Sequence, residues 1–362
     1  MPTPGNQFPG ATTAATVAGC CPPPHPPLPR NPGLTWRGLA ASDLEPWFEL
    51  VTRVQEHDAE HERTRMADLE TLTQQSWVHL GADFLAALDE DGVFRAVGRN
   101  AFRPGATDAL AITLVGGVDP SWRGRGLGRS LLASQLARAV QNIAHLRASV
   151  PGAADLPARI GCFVEDHIPG RVRLLAASGF EPTRWFTELR RPLRSGMAGP
   201  PPLAVPGLRT ERFTDAFTER TRLAHNEAFV DHWGSNPHTA ESWCSNLIDD
   251  EAFRPAQSFV IVDTYEPGEP VVAYVINNEY THDWVAQGFT EGYTELLGVR
   301  RAWRKRGLAS HLLELSAEVF AAAGHPYASL GVDADNPTGA SALYRSLGYE
   351  PVHHSTYYSI PA

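Results

Sequence analysis

Two stretches decide the fold: Val118-Asp-Pro-Ser-Trp-Arg-Gly-Arg-Gly-Leu-Gly128 and Val299-Arg-Arg-Ala-Trp-Arg-Lys-Arg-Gly-Leu-Ala309. Laid over each other, Val118 meets Val299, Trp122 meets Trp303, Arg123 meets Arg304, Gly126 meets Gly307 and Leu127 meets Leu308. Downstream, HIPGRVRLLAASGF (167–180) lies without a gap on NPTGASALYRSLGY (336–349). Two patterns in the same order in both halves imply one fold used twice, at a period far longer than that of a solenoid.

The surroundings of each turn agree. In the second half, SFVIVD (258–263) and PVVAYVINNEY (270–280) are β-rich runs joined by a turn, and a third strand is expected from Tyr293 to Val299. After Gly307, residues Leu308, Leu312, Leu315 and Val319 recur at helical spacing. A strand over 327–332 and a short helix over 339–347, stopped by Gly348, complete the unit. The first half repeats this order, with Asp91-Gly92 as its hairpin signal. The fold class is therefore α/β, as two tandem domains over 34–194 and 206–362, each a mixed, mostly antiparallel sheet flanked by helices. Residues 195–205 (SGMAGPPPLAV) read as a linker, and residues 1–33, with ten prolines, as a flexible or polyproline tail.

Composition narrows the function. At 362 residues, 43% hydrophobic and 20% charged, the chain can bury a real core. A net charge of -10 speaks against a broad phosphate-neutralising surface, so no nucleic-acid partner is expected, and it favours cationic or amine ligands. The four cysteines, Cys20, Cys21, Cys162 and Cys244, give neither a disulfide framework nor a metal spacing, which fits a reducing cytoplasm. No apolar run suits a membrane span, and the lipoprotein-like box ending at Cys20 lacks an apolar run before it. His57-Asp-Ala-Glu60-His61 matches an H-x-x-E-H zinc pattern. No third ligand follows it, so a solvated helix face is the better reading and no metal is expected.

A strand, then Arg-x-x-Gly-x-Gly/Ala, then a helix, aims several backbone N–H groups and the positive end of the helix dipole at one place. That is an anion site suited to a pyrophosphate. On these residues the chain resembles the GNAT superfamily of acyl-CoA-dependent N-acyltransferases, in a tandem two-domain arrangement. The family's Q/R-x-x-G-x-G/A pattern is matched at Arg123, Gly126 and Gly128 and again at Arg304, Gly307 and Ala309. Its later N-x-x-A/G-x-x-x-Y-x-x-x-G-Y/F pattern is matched at Asn336, Tyr344, Gly348 and Tyr349. The resemblance implies acetyl-CoA as acyl donor, held by Leu297, Val299, Arg304, Lys305, Arg306, Gly307, Leu308, Ala309 and Asn336, with Arg123, Gly126 and Gly128 as cofactor-binding residues of the first half's loop.

Acyl transfer from a thioester needs the ammonium deprotonated, the oxyanion stabilised and a proton for the departing thiolate. Tyr344 is the candidate proton donor, with helix-to-sheet packing as its alternative role. The family often places a carboxylate on the strand before the loop as base, and alternation along Tyr293, Glu295, Leu297 and Val299 makes Glu295 the candidate. A salt bridge to a nearby arginine is its alternative. Oxyanion stabilisation falls to a backbone N–H near Leu297 to Val299. The aligned first-half residues are Leu114, Leu175 and His167, so the second domain is expected to be catalytic and the first not. Glu227, Asp231, His232 and Trp233 are the candidates for receiving a small amine such as an amino sugar, a cysteinyl conjugate, an antibiotic or a polyamine. The rival functions are a non-catalytic acyl-CoA-binding or scaffold protein and an aminoacyl-tRNA-dependent ligase.

Overall fold

Alternating aliphatic runs on both sides of each turn form strands that join into a single sheet in the computed structural model. It describes residues 26–102, 109–197, 199–200, 202–203, 205–230, 232–335 and 340–362. Asp231 and Asn336 lie outside the described residues, as does most of the proline-rich N-terminal stretch.

The first half runs β1 (Thr35–Arg37), α1 (Leu44–Asp58), α2 (Met66–Gln74), α3 (Leu80–Asp83), β2 (Phe84–Leu88), β3 (Phe94–Phe102), β4 (Leu110–Val118), α4 (Leu127–Ser149), β5 (Ala158–Glu165), α5 (Pro169–Ala177) and β6 (Glu181–Pro192). The second half repeats it with β7 (Leu208–Arg212), α6 (Thr218–Ala228), α7 (Ala240–Trp243), β8 (Phe259–Asp263), β9 (Val271–Asn278), α8 (Trp284–Gln287), β10 (Glu291–Val299), α9 (Leu308–Ala322), β11 (Tyr327–Asp333), α10 (Ala340–Ser346) and β12 (Glu350–Pro361). The strands and helices expected around the second turn are all present, within two residues at each end.

The strand order is β1-β2-β3-β4-β5-β12-β6-β11-β10-β9-β8-β7. The two last strands are exchanged: β12 pairs with β5 of the first half, and β6 pairs with β11 of the second. They also pair with each other, antiparallel, from Glu350↔Arg190 to Ser359↔Glu181. Strand pairing thus crosses the 195–205 segment, and the two repeats share one ladder.

Each half packs its long helix on one face of this sheet. Leu308, Leu312, Leu313 and Phe320 of α9 are essentially inaccessible, and burying each such side chain contributes about 1.5–3 kcal/mol. Helix and sheet approach closely because Gly292 has no side chain: a Cβ there would lie 2.1 Å from the Phe320 ring. The helix ends where Gly324 takes a φ of 90° and His325 donates its N–H to the Phe320 carbonyl. None of the described helices is long and apolar enough to cross a membrane.

Both halves open in the same way beside the turn. Parallel pairing of β4 with β5 stops at Thr113↔Gly161, and that of β10 with β11 stops at Thr294↔Leu330. Beyond these points the strands splay, leaving backbone groups of β10 unpaired on the side facing β11.

Candidate active site

A cavity of about 2520 Å³ lies over the splayed strands and takes its walls from both halves. A single-ligand pocket holds ~300–1,000 Å³, so this one has room for an extended donor and an acceptor together. Arg304, Lys305, Gly307, Leu308 and Ala309 line it, as do Leu297, Val299, Tyr344 and Glu295. The turn has the backbone the sequence demands: Lys305 at φ 61° and Gly307 at φ 79° put successive N–H groups on one side, ahead of the free N-terminus of α9. Arg304 is anchored by bonds from its guanidinium to the carbonyls of Val299 (3.2 Å) and Ala228 (2.7 Å). Lys305 and Arg306 are exposed.

Glu295 sits at a β-bulge. Register with β9 runs Tyr293↔Asn278, Thr294↔Asn277, then Leu296↔Ile276, so Glu295 is the extra residue. The bulge corrects the expected alternation: Leu297 and Val299 pack against Leu308 and Leu312 of α9, whereas Leu296 packs with Tyr274 and Ile276 in a different cluster. Glu295 itself accepts a 2.8 Å bond from the Tyr280 hydroxyl, which in turn accepts one from Asn278. It makes no ion pair among the described residues. Burial, with Asp250 adding like charge, raises its carboxyl above the usual range. Tyr344 is 8% exposed, and burial pushes its phenol up to about 12, so it stays protonated at neutral pH. Among the described residues the phenol has no hydrogen-bond partner.

The first half supplies a carboxylate that sequence reasoning missed. The segment after α1 is tied onto the second half: Arg63 donates its N–H to Asp283 (2.9 Å), His282 bonds the Arg63 carbonyl (2.7 Å), and Arg65 pairs with Asp250 (2.9 Å). Glu62, between these anchors, lines the same cavity as Glu295. Its side chain is exposed to the cavity, in a setting crowded by protein. That environment, followed by the like charge of Glu295 and of Glu165, pushes its carboxyl up to about 7. Glu188 on β6 rises to about 7 as well, through burial and then the neighbouring Glu291, with Arg190 opposing. The result is a group of acids lining the cavity beside the splay, built from strands and loops of both halves.

This group of acids costs stability as it ionises. A carboxyl raised from 4.5 to about 7 in the folded state contributes stability fully present below pH 4.5 and lost as pH rises through about 7. Glu188→Gln, which still accepts from Arg190, is therefore expected to raise the melting temperature at pH 8, with the gain vanishing at pH 4. Melting curves at the two pH values check it, and an equal shift at both would remove the electrostatic cause.

The first-half turn has the same backbone, with Gly124 at φ 76° and Gly126 at φ 86°, but a different fate. Arg123, Gly126 and Gly128 do not line the cavity. Arg123 is held by both oxygens of Asp58 (2.6 and 3.0 Å), and Arg171 of α5 reaches Asp58 and Glu60. The end of α1 thus bridges the first splay. Leu114 and Leu175 are buried in one apolar cluster, and His167 bonds the Asp58 carbonyl.

The expected acceptor residues are only partly gathered. His232 and Trp233 line the cavity; Glu227 instead pairs with Arg300 at 2.6 Å. Arg159 and Arg184 lie 4.6 and 5.5 Å from the Trp233 ring, so that face already receives cations. The zinc-like pattern is also rearranged. Ala59 at φ 52° ends α1 after Asp58, so His57 and His61 do not share a helical face, and His61 turns to Glu165.

Residues 218–349 match the acetyltransferase (GNAT) family. The mycothiol acetyltransferase of Frankia alni is 30% identical over 210 residues, 56% of this chain and 58% of that protein. That of Gordonia bronchialis is 27% identical over 71% of this chain and 76% of its own length. Among solved structures, a GCN5-related N-acetyltransferase from Sphaerobacter thermophilus superposes with a TM-score of 0.65 at 24% identity, covering 92% of this chain and 97% of the other. A tandem GNAT protein from the clavulanic acid biosynthesis pathway gives 0.60 at 16% identity, over 91% and 98%. At these identities the structural likenesses speak for the fold. The second half thus matches the GNAT acetyltransferase family, and the chain as a whole shares the duplicated fold of the tandem GNAT protein.

Proposed function

We propose that the protein transfers an acetyl group from acetyl-CoA to the primary amine of a small cationic molecule by direct attack, in the second half. The observation that carries this reading is the convergence of the Arg304–Ala309 turn, Tyr344 and the acids Glu295 and Glu62 on one cavity. The pyrophosphate would rest on the α9 turn, with the thioester along the unpaired edge of β10. Glu295 and Glu62 attract the ammonium and remove its proton, and the free amine attacks the thioester carbon. A backbone N–H of the Leu297–Val299 edge bonds the oxyanion. Collapse breaks the C–S bond as Tyr344 donates its proton to the sulfur, and the nitrogen's second proton passes to the phenolate, giving the neutral amide and the CoA thiol with Tyr344 restored. The first half acts by supplying Glu62 and walling the cavity.

Relatives named for mycothiol make the unacetylated form of that thiol the first acceptor to test, beside a panel of amino sugars and polyamines. Release of free CoA, dependent on one of these amines, tests the reading; acetyl-CoA binding without turnover on any acceptor would favour a non-catalytic role. Tyr344→Phe is expected to lower kcat by ~10²-fold, the lower end for general-acid help, with acetyl-CoA affinity unchanged. Steady-state kinetics beside a melting curve check it, since a merely structural tyrosine would lower stability and leave kcat intact.

A further inference from the structure

We propose a divalent metal site formed by His61, Glu165 and His167, which staples the segment after α1 across the first half's splay. The ligand atoms come from two places in the chain: His61 from the segment that follows α1, and Glu165 and His167 from the end of β5 and the turn that follows it. One donor atom from each lies within 4.8 Å of the other two. The Nδ1 of His61 is 2.5 Å from Oε2 of Glu165, and the Nδ1 of His167 is 3.4 Å from the same oxygen. The other carboxylate oxygen, Oε1, is occupied by the His61 backbone N–H at 3.2 Å. The carboxylate is thereby oriented with Oε2 toward both rings.

The hydrogen bonding of His167 points to a cation. Its Nε2 is 3.0 Å from the Asp58 carbonyl, which only accepts, so Nε2 carries the hydrogen. In the neutral ring Nδ1 is then a bare lone pair, facing a carboxylate oxygen that also has only lone pairs to offer. A metal ion between them satisfies both. An outer ring N–H donated to a backbone carbonyl is the arrangement that fixes the tautomer of a metal-bound histidine. Two imidazoles and one carboxylate suit a borderline ion such as Zn²⁺ over Mg²⁺, and a fourth position is left for water. With bonds of about 2.0–2.2 Å in tetrahedral geometry, the His61–Glu165 separation would open to ~3.3 Å as the ion replaces the shared proton. His61 and Glu165 line the cavity, and the His167 side chain is 41% exposed, so the ion has a way in.

The consequence is structural. The metal would bind His61 beside Asp58 and Glu60, the residues that already hold Arg123 and Arg171. It would therefore reinforce the bridge over the first half's splay and fix the base of the loop that presents Glu62.

The test uses the full-length chain carrying Cys20→Ser and Cys21→Ser, so that vicinal thiols do not compete, stripped by a chelator and titrated calorimetrically with ZnCl₂. One equivalent of Zn²⁺ with micromolar or tighter affinity is expected, with no uptake of Mg²⁺. His167→Ala, on the surface, should weaken Zn²⁺ binding by at least ~30-fold and abolish the zinc-induced rise in melting temperature. Glu165→Gln should do the same. No stoichiometric Zn²⁺ in the parent would overturn the site. Unchanged affinity in both variants, with melting curves showing them folded, would overturn it equally.

Discussion

In the Gly307→Glu variant, affinity for acetyl-CoA is expected to fall at least ~100-fold, whereas Gly126→Glu leaves it unchanged. The two glycines occupy the same place in the two copies of the turn and have nearly the same φ, 79° and 86°. A side chain at either position adopts a left-handed conformation costing ~1–2 kcal/mol, so both variants should lose similar stability. Binding separates them. A Cβ on Gly307 projects into open space at the mouth of the cavity, so a glutamate there places its carboxylate where the pyrophosphate would lie. Repulsion between the two anions is then added to the loss of the close backbone approach. Gly126 lies on a turn that does not reach the cavity, beside an arginine already neutralised by Asp58. Calorimetric titration of both variants, beside their melting curves, makes the comparison. Equal losses of affinity in the two would mean that the first half holds the donor as well.

The repeat, the turns and the helices were legible because each is written locally. Arg-x-x-Gly with a small residue beyond it, the apolar spacing of Leu308, Leu312, Leu315 and Val319, and Gly348 after α10 all act within a few residues of themselves. Three features that build the site are not local. β6 and β12 are both twelve residues long and both follow a short helix, so nothing in either run says that they exchange places. Period-2 alternation assumes an unbroken ladder, and the bulge at Glu295 breaks it, carrying Leu297 and Val299 to the α9 face. Glu62 stands in EHDAEHE, where charge density reads as solvated helix; the helix in fact stops at Asp58 because Ala59 is left-handed. The pairing of Arg65 with Asp250 and of Arg63 with Asp283, which brings Glu62 over the second half, is decided only by the tertiary fold.

Those same contacts make Glu62 the source of the largest expected change in pH dependence. With a carboxyl at about 7, Glu62 is half ionised near neutrality and protonated below it. A base works only when ionised, so kcat/KM should rise with pH through about 7 and level off above, apart from any higher limb belonging to the acceptor amine. Glu62→Gln should remove the limb near 7, spare the amine's limb, and lower the plateau by ~10²-fold, within the range for general-base help. Glu295→Gln should lower the plateau by at least as much, because Glu295 lies on β10, whose unpaired edge we propose for the thioester, and among the described residues has only the Tyr280 hydroxyl bonded to it. A Glu62 that merely attracted a cation would behave differently: Gln would raise KM but leave kcat, and the pH dependence of kcat, unchanged. The pH profiles of the two variants, measured at saturating acetyl-CoA with the acceptor varied, decide between proton removal and simple attraction.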